Sequence, residues 1–594
     1  FLENRYKKHK DTVRAGNFTS GNFIRAAFYT PWDNAGAALR SLEQNANKLN
    51  AIFPEWFFID SNDHSGLQNR MDSASLAVMR RNGLRILPML SNFNSKKEVA
   101  DFDGSLLHSI LGSPAIQQKF IQKLTDTLQH YGLQGINVDF EELGEGAREQ
   151  LVSFEEALYK ALHAKGLLLT MDIAPQNDDY DLKRLSAYND YIVVMAYDQH
   201  YDKGSPGPIC DQKWIEEMMD QTAKKIDPSK IILGLAAYGY DWSRDSDGRM
   251  YGESISYAEA INRAKIAKAT IDFDNNNYNL HYSYTTEEEE EDSSEQRVDH
   301  EVWFTDAATT FNVLRFSDDY TTAGTALWRL GSEDRRLWKF YPLDLSSNAL
   351  AKHPFNYNLL DTIPVIENDV SYQGEGEVLD IVYTPHPGKI KITVDTTEQL
   401  IAEQEYEQIP SGFVIQKFAE DTSRPGPGHK LILTFDDGPD ARWTPQILDI
   451  LEREKVPAAF FVVGIQAEKN IPLIQRIFKS GYEIGNHTFT HGNVAKMTPR
   501  RAGLEMKLTR LLIESVTGHS TVLFRAPYNA DSEPHTYEEL EPIARSREQN
   551  YITIGESIDP MDWEPGVSAD TIVGRTIRSV EERGASIILL HDAG

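Results

Sequence analysis

Cysteine is almost missing: Cys210 is the single one in 594 residues. No disulfide can close within the chain, so its stability must come from packing. With no base beside it, Cys210 reads as a core or loop residue and not as a nucleophile. Basic charge is also in deficit, with 60 Lys and Arg against 90 Asp and Glu, a net charge of −30. A surface that acidic repels phosphate backbones and excludes nucleic acid as a partner, while neutral sugars are not repelled. No apolar run approaches the roughly 20 residues of a membrane span, no secretory leader is visible, and there is no internal repeat. The sequence begins at Phe1 and stops at Gly594, so it is read as a fragment, with any membrane attachment expected through parts outside it.

What is present is a hydrophobic fraction of 40%, enough for full cores. Residues 20–350 alternate short apolar runs with amphipathic stretches. Candidate strands are Phe23–Tyr29, Glu55–Ile59, Arg85–Leu90, Gly135–Glu141, Leu167–Asp172, Tyr191–Ala196, Ile231–Leu235 and Gly324–Trp328. Eight strands with crossover helices predict an α/β fold, a (β/α)8 barrel. An insertion is expected between the seventh and eighth strands, from about Ser243 to Thr322, and its acidic run Glu287–Asp292 reads as a solvated loop. Residues 355–428 break into short β-like pieces and predict a β-rich connector, closed by the boundary signal Arg424–Gly428. Strand and helix alternate again over 429–594, a second α/β domain.

Two stretches carry chemistry. In GINVDFEE, period-two alternation puts Ile136, Val138 and Phe140 on one face of the fourth strand and Asn137, Asp139 and Glu141 on the other. Acids running to the C-terminal end of a barrel strand point into the mouth, where barrel enzymes react. Neighbouring buried acids shift each other's pKa, so Glu141 can stay protonated as a general acid. In the second domain five motifs follow in order: TFDDGP (Thr434–Pro439), HTFTH (His487–His491), FRAPY (Phe524–Tyr528), DPMDW (Asp559–Trp563) and LLHD (Leu589–Asp592). Asp437, His487 and His491 supply one carboxylate and two imidazoles and leave positions open for water and substrate, a set that suits a divalent metal. Such an ion polarises an acyl oxygen and acidifies water. Asp436 is then the candidate base and His591 the candidate acid for a leaving nitrogen.

The five motifs resemble the polysaccharide deacetylases of carbohydrate esterase family 4. The resemblance implies a distorted (β/α) barrel and a divalent metal, usually zinc, held by Asp437, His487 and His491. It implies Asp436 as base, Arg525 as its orienting arginine, and Tyr528 as the residue whose backbone N–H helps hold the oxyanion. Asp562 is implied as the carboxylate that tunes His591, the acid, and Trp563 as a wall of the acetyl pocket. It also implies a further helix and strand after LLHD, so the domain is read as incomplete at its C-terminus.

The fourth barrel strand resembles family 18 glycoside hydrolases, whose motif is D-G-x-D-x-D-x-E. Asp139 and Glu141 match its last two acids, while Gln134 and Asn137 depart from the first two; an Asn is similar to the cell-wall and spore-cortex lytic branch. MAYD supplies Tyr197, implied to steady an acetamido group, and Asp198; AYGYDW (Ala237–Trp242) matches the seventh-strand loop; and ALWRLG supplies Trp328, implied to lie under the bound sugar. The resemblance implies substrate assistance, in which the N-acetyl oxygen attacks the anomeric carbon and one acid suffices. The expected partner is a polysaccharide containing N-acetylglucosamine, and the expected place is the bacterial cell envelope. The order barrel, connector, deacetylase also resembles a bacterial arrangement that continues into a family 2 glycosyltransferase. The alternative is a barrel that binds sugar without turnover; lectins of this family usually lack the acid that Glu141 retains.

Overall fold

The computed structural model describes residues 23–593 apart from 33–35, 61–65, 98–99, 145, 245–249, 290–294, 367–368, 419–430, 529–536 and 584–586. The chain divides into two compact units, Phe1–Pro364 with Gly388–Ile409, and Val365–Pro387 with Pro410–Gly594. Among the described residues no helix is long and apolar enough to cross a membrane.

The first unit is the expected barrel. Its eight positions are Ile24–Tyr29, Ala51–Pro54 with Phe57–Ile59, Arg85–Ile86 with Met89–Ser91, Gly135–Asp139, Leu168–Ile173, Tyr191–Val194, Ile231–Ala236 and Gly324–Trp328. All neighbours are parallel, and the eighth strand pairs with the first to close the ring. Alternation assigns each strand two jobs. Ile24, Ala26 and Phe28 join Phe53, Met89, Val193 and Ile232 in the barrel interior. Ile136, Val138 and Phe140 turn outward into the larger core under the helices. The helix Pro114–His130 shows how that outer layer forms. Proline stands at its start, where the N–H is unsatisfied anyway, and Phe120, Ile121, Leu124 and Leu128 recur at helical spacing as its buried face.

The insertion after the seventh strand is a five-stranded antiparallel sheet with the helix Tyr257–Ala267. Here the acidic run departs from expectation. Glu287–Glu289 are the end of the strand Asn279–Glu289, paired with Glu295–Phe304. A strand partner with its own exposed edge tolerates charge, so the run does not have to be a loop. The rest of the run lies outside the described residues, as does Arg424–Gly428.

The connector read at 355–428 is divided between the two units. The hairpin Gly388–Asp395 and Leu400–Gln408 belongs to the barrel. There the Asn312 side chain pairs with both backbone groups of Ile401, 2.9 Å each, and Ile401 is buried in the barrel core. Val370–Gln373, Val378–Tyr383 and Phe413–Phe418 instead extend the sheet of the second unit, through Val378–Tyr383 pairing with Ile552–Ile554. Apolar alternation marks these pieces as strands but cannot say which sheet receives them.

The second unit has six parallel strands in the order Ile587–His591, Ile432–Asp436, Ala458–Val462, Glu483–Asn486, Leu523–Phe524 and Ile552–Ile554. Phe435, Phe460, Val462 and Ile484 pack with Leu448, Leu451, Ile474 and Ile477 of the covering helices.

Candidate active sites

In the second unit every motif ends or follows a parallel strand, so the five converge at the C-terminal edge of the sheet, where α/β sheets hold ligands. The ligating atoms of Asp437, His487 and His491 lie within 4.8 Å of one another. His491 Nε2 is 2.9 Å and His487 Nε2 3.4 Å from the same Asp437 oxygen, Oδ1. His487 Nδ1 donates to the Arg525 carbonyl at 2.8 Å, which fixes the tautomer and leaves the Nε2 lone pair facing Asp437. Asp437 Oδ1 is buried with no hydrogen-bond partner among the described residues. An orphaned carboxylate oxygen facing two imidazole nitrogens is what a divalent cation would satisfy, so the three residues fit one.

Asp436, buried beside them, is held by Arg525. The guanidinium donates to Asp436 Oδ1 (2.9 Å), Thr434 Oγ1 (2.7 Å) and the carbonyls of Ile554 (3.0 Å) and Gly555 (2.7 Å). His591 Nδ1 stands 2.7 Å from Asp562 Oδ1. Burial opposes the imidazolium, yet Asp562, with Asp436 and Asp437, raises the His591 pKa. The Tyr528 ring lies 5.2 Å from that of His491, and Trp563 is exposed, its indole donating to Asp559. Asp437, Thr488, His491 and Tyr528 all have positive φ, between 57° and 73°. For residues with a Cβ this costs energy and persists only where the surroundings enforce it, commonly at functional sites.

Glu505 and Glu556 escaped the sequence reading, and Asp592, the last letter of LLHD, was given no role by it. Glu505, on the helix Pro499–Thr517, accepts from the backbone N–H groups of Phe489 (3.1 Å) and Thr490 (2.7 Å) and from Arg501, pinning the loop between the two histidines. Asp592, pushed up to about 7 by burial, explains two motif letters at once: a Cβ on Gly438 would sit 2.1 Å from its carboxylate. Glu556, also raised to about 7 by burial against the opposing pull of Arg525, follows the last parallel strand but one in sequence. A lone glutamate in a helix or loop carries no motif signal.

In the barrel, a cavity of about 600 Å³ is lined by Asp139, Glu141, Tyr197, Asp198 and Trp328 together with Asp172, Glu55 and Trp214, among others. Asn137 lies one layer deeper, fully buried. The Tyr197 and Trp328 rings stack at 6.1 Å, and Asp198 accepts from Tyr240 at 3.1 Å and from Tyr238. Asn92 grips the backbone of Glu141 at both ends, accepting from its N–H at 3.0 Å and donating to its carbonyl at 2.8 Å. Burial first, then Asp139 and Asp198, push the Glu141 pKa well above the carboxylate range, which favours its protonated form. Asp172, Glu55 and Ser91 were not singled out from sequence; Asp172 alternates inward on the fifth strand, the one cue available.

An acid with a raised pKa lines the barrel mouth, and Asp436 and His591 flank a triad that fits a cation in the second unit. A family model for glycosyl hydrolases family 18 matches residues 25–333, and one for polysaccharide deacetylase matches 423–540. Over 340 residues the chain is 26% identical to the glycosylase YvbX of Bacillus subtilis, covering 56% of this chain and 92% of that one. It is 39% identical over 174 residues to a chitooligosaccharide deacetylase of Rhizobium leguminosarum bv. phaseoli, covering 29% of this chain and 69% of the other. It is 35% identical over 177 residues to a peptidoglycan-N-acetylglucosamine deacetylase of Bacillus cereus; these cover 30% of this chain and 61% of the relative, so the chain spans about three fifths of that protein. Among solved structures the Bacillus cereus spore cortex-lytic enzyme SleL is similar at 21% identity and a TM-score of 0.48, over 56% of this chain and 77% of that one. The chain belongs to the glycosyl hydrolases of family 18 and, in its second unit, to the polysaccharide deacetylases, which makes it a bifunctional carbohydrate-active enzyme.

Proposed function

We propose that both centres act on one class of polymer, a β-linked N-acetylglucosamine chain such as a chitin-like, peptidoglycan or exopolysaccharide glycan. The second unit removes acetyl groups with the help of a divalent metal, zinc in the first instance, and the barrel hydrolyses the glycosidic bond. The observation that carries the deacetylase reading is the orphaned Asp437 oxygen between two imidazole nitrogens, with Asp436 and His591 on hand as base and acid. Bound there, a divalent ion supplies Lewis-acid polarisation of the acyl oxygen and lowers the pKa of water. Asp436, oriented by Arg525, takes the proton of the attacking water. His591, whose Nδ1 is engaged by Asp562, presents Nε2 to the leaving nitrogen and protonates it. The relatives named for chitooligosaccharide and peptidoglycan deacetylation support the substrate class.

In the barrel Glu141 is the acid that protonates the glycosidic oxygen. Asp139 and Tyr197 hold the acetamido group whose carbonyl oxygen attacks the anomeric carbon, and Asn137, Asp198 and Trp328 shape the sugar subsite. The second reading, a barrel that binds without cutting, is disfavoured by the raised pKa of Glu141, because a lectin has no use for a protonated acid. Action at the bacterial cell envelope, with an anchor and a family 2 glycosyltransferase elsewhere in the same polypeptide, belongs to the same proposal and rests on the resemblance alone.

Zinc content and acetate release from an N-acetylglucosamine oligomer test the metal centre. His487→Ala should lose both together; a variant that releases acetate at the wild-type rate without zinc overturns the assignment. Glu141→Gln keeps shape and removes the acid, so reducing-end release should fall by about 10²–10⁴-fold. Wild-type cleavage by Glu141→Gln would return the barrel to a binding role.

A further inference from the structure

The fourth strand lacks an acid at position 137, and the strand beside it carries one that the motif does not contain. In the sheet register Thr170 lies opposite Asn137 and Met171 opposite Val138, which sets Asp172 opposite Asp139. On the other flank Ser91 lies opposite Asp139. Asn137, Asp139, Thr170 and Asp172 alternate inward together. Two carboxylates therefore stand side by side in one layer of the barrel, Asp139 at 4% and Asp172 at 2% exposure.

The layer beneath fixes how Asp172 points. Thr170 Oγ1 donates to Asn137 Oδ1 at 2.6 Å, which orients the amide so that its Nδ2 donates to Asp172 Oδ2 at 2.6 Å. An ionised aspartate at 137 has no donor and could not make that second bond. The other oxygen, Asp172 Oδ1, is buried with no partner among the described residues, on a residue that lines the cavity. Most of the charged and phenolic groups facing the pair among the described residues are acidic. Glu55, Glu141 and Asp198 are acids, Tyr180 and Tyr197 are phenols, and Arg329 is the one cation lining the cavity.

We propose that Asp172 is the proton-sharing partner of Asp139, so that the carboxylate missing from position 137 stands on the neighbouring strand and Asn137 is there to hold it. One proton serves the two carboxyls. With the proton on Asp172 Oδ1, Asp139 is free to accept from the substrate's acetamido N–H, whose nitrogen gains positive character as the carbonyl oxygen attacks. Once water has opened the cyclic intermediate and the product sugar departs, the proton can return to Asp139. The proton shift itself changes no other bond and needs no co-reactant beyond that water. Burial first raises both carboxyls well above the usual range, with repulsion from Asp172 added at Asp139 and from Glu141 at Asp172, which agrees with one proton held between them. Asp172 acts through Asp139 and is a positioning residue. The catalytic consequence rests on the reading of the barrel as a glycosidase; the shared proton does not.

Two readouts on the full chain separate these. The first needs no turnover. A carboxyl whose folded pKa is raised stabilises the protein below its unfolded pKa, and that stability is lost as pH rises through the folded value. The thermal midpoint of the barrel transition should therefore fall less steeply from pH 5 to pH 9 in Asp172→Asn than in wild type. An unchanged slope overturns the proposal. The second is reducing-end release from penta-N-acetylchitopentaose against pH. Asp172→Asn should lose about 10²-fold in kcat with little change in KM and with its acidic limb moved to lower pH. Adding Asn137→Asp to that variant puts a carboxylate back beside Asp139 and should recover at least about tenfold of the loss. If Asp172→Asn keeps the wild-type kcat and profile, or the double variant recovers nothing, Asp172 is not the partner. If wild type itself releases no reducing ends while the slopes differ, the glycosidase reading fails and the shared proton stands.

Discussion

Glu155 shows how much a single buried acid can say. It sits in the helix Ala147–His163, wholly out of water, accepting from Asn189 Nδ2 at 2.9 Å, with its other oxygen unpartnered among the described residues. Burial pushes its pKa up to about 8, against the small opposing pull of Asn189. A raised folded pKa means that the stabilisation is complete below the ordinary glutamate range and fades as pH climbs from there through about 8. Glu155→Gln keeps the shape and removes the titration. The thermal midpoint of the barrel in this variant should match wild type near pH 4 and exceed it above pH 8; equal midpoints at both ends would show that Glu155 is already charged when folded. It lies on the far side of the sheet from the cavity acids, so its titration is a matter of stability and not of catalysis.

At the scale of elements, what was legible in the sequence followed the periodic signals. Eight barrel strands were visible because an inward and an outward apolar row alternate in them, although the Ala51–Pro54 half of the second, which pairs with the first strand, lay outside the expected Glu55–Ile59; the acids of the fourth strand were visible because polar residues break that alternation on one face. The metal triad was legible as spacing: Asp437 just past a strand end, and two histidines four apart in a short loop. Asp172 was not, because one polar letter in an apolar strand has many explanations. Glu505 was not, because its partners are backbone N–H groups 15 and 16 positions away in the chain, a relation that no local pattern records. The division of the connector was also hidden, since strand pairing across long separations is set by which sheet edge is open.

Glu505 makes a prediction at this same scale. The helix Pro499–Thr517 presents it to a loop whose Thr488 and His491 are held at positive φ. Glu505→Gln loses the charge that grips two N–H groups and Arg501, and the histidines should drift from their common focus. Zinc affinity, measured by competition with a chromogenic chelator, should fall by about 10–100-fold, the usual range for outer partners of metal ligands. The thermal midpoint of the metal-free protein should move far less. Equal losses of midpoint and affinity would make Glu505 merely structural.

For the whole molecule, the two chemistries meet on one functional group of the substrate. By this account the barrel borrows the acetamido oxygen as nucleophile, and the deacetylase destroys it. A glucosamine beside Glu141 should bind without being cut, because its amine cannot form the cyclic intermediate. Deacetylation by one centre therefore protects the polymer from the other. The direct measurement is chain length against time on a fully acetylated oligomer, with and without a chelator. The account predicts more total cleavage with chelator, because metal removal silences Asp437, His487 and His491 without touching Glu141. Slower cleavage with chelator, or a fully deacetylated oligomer cut as fast as the acetylated one, would contradict it.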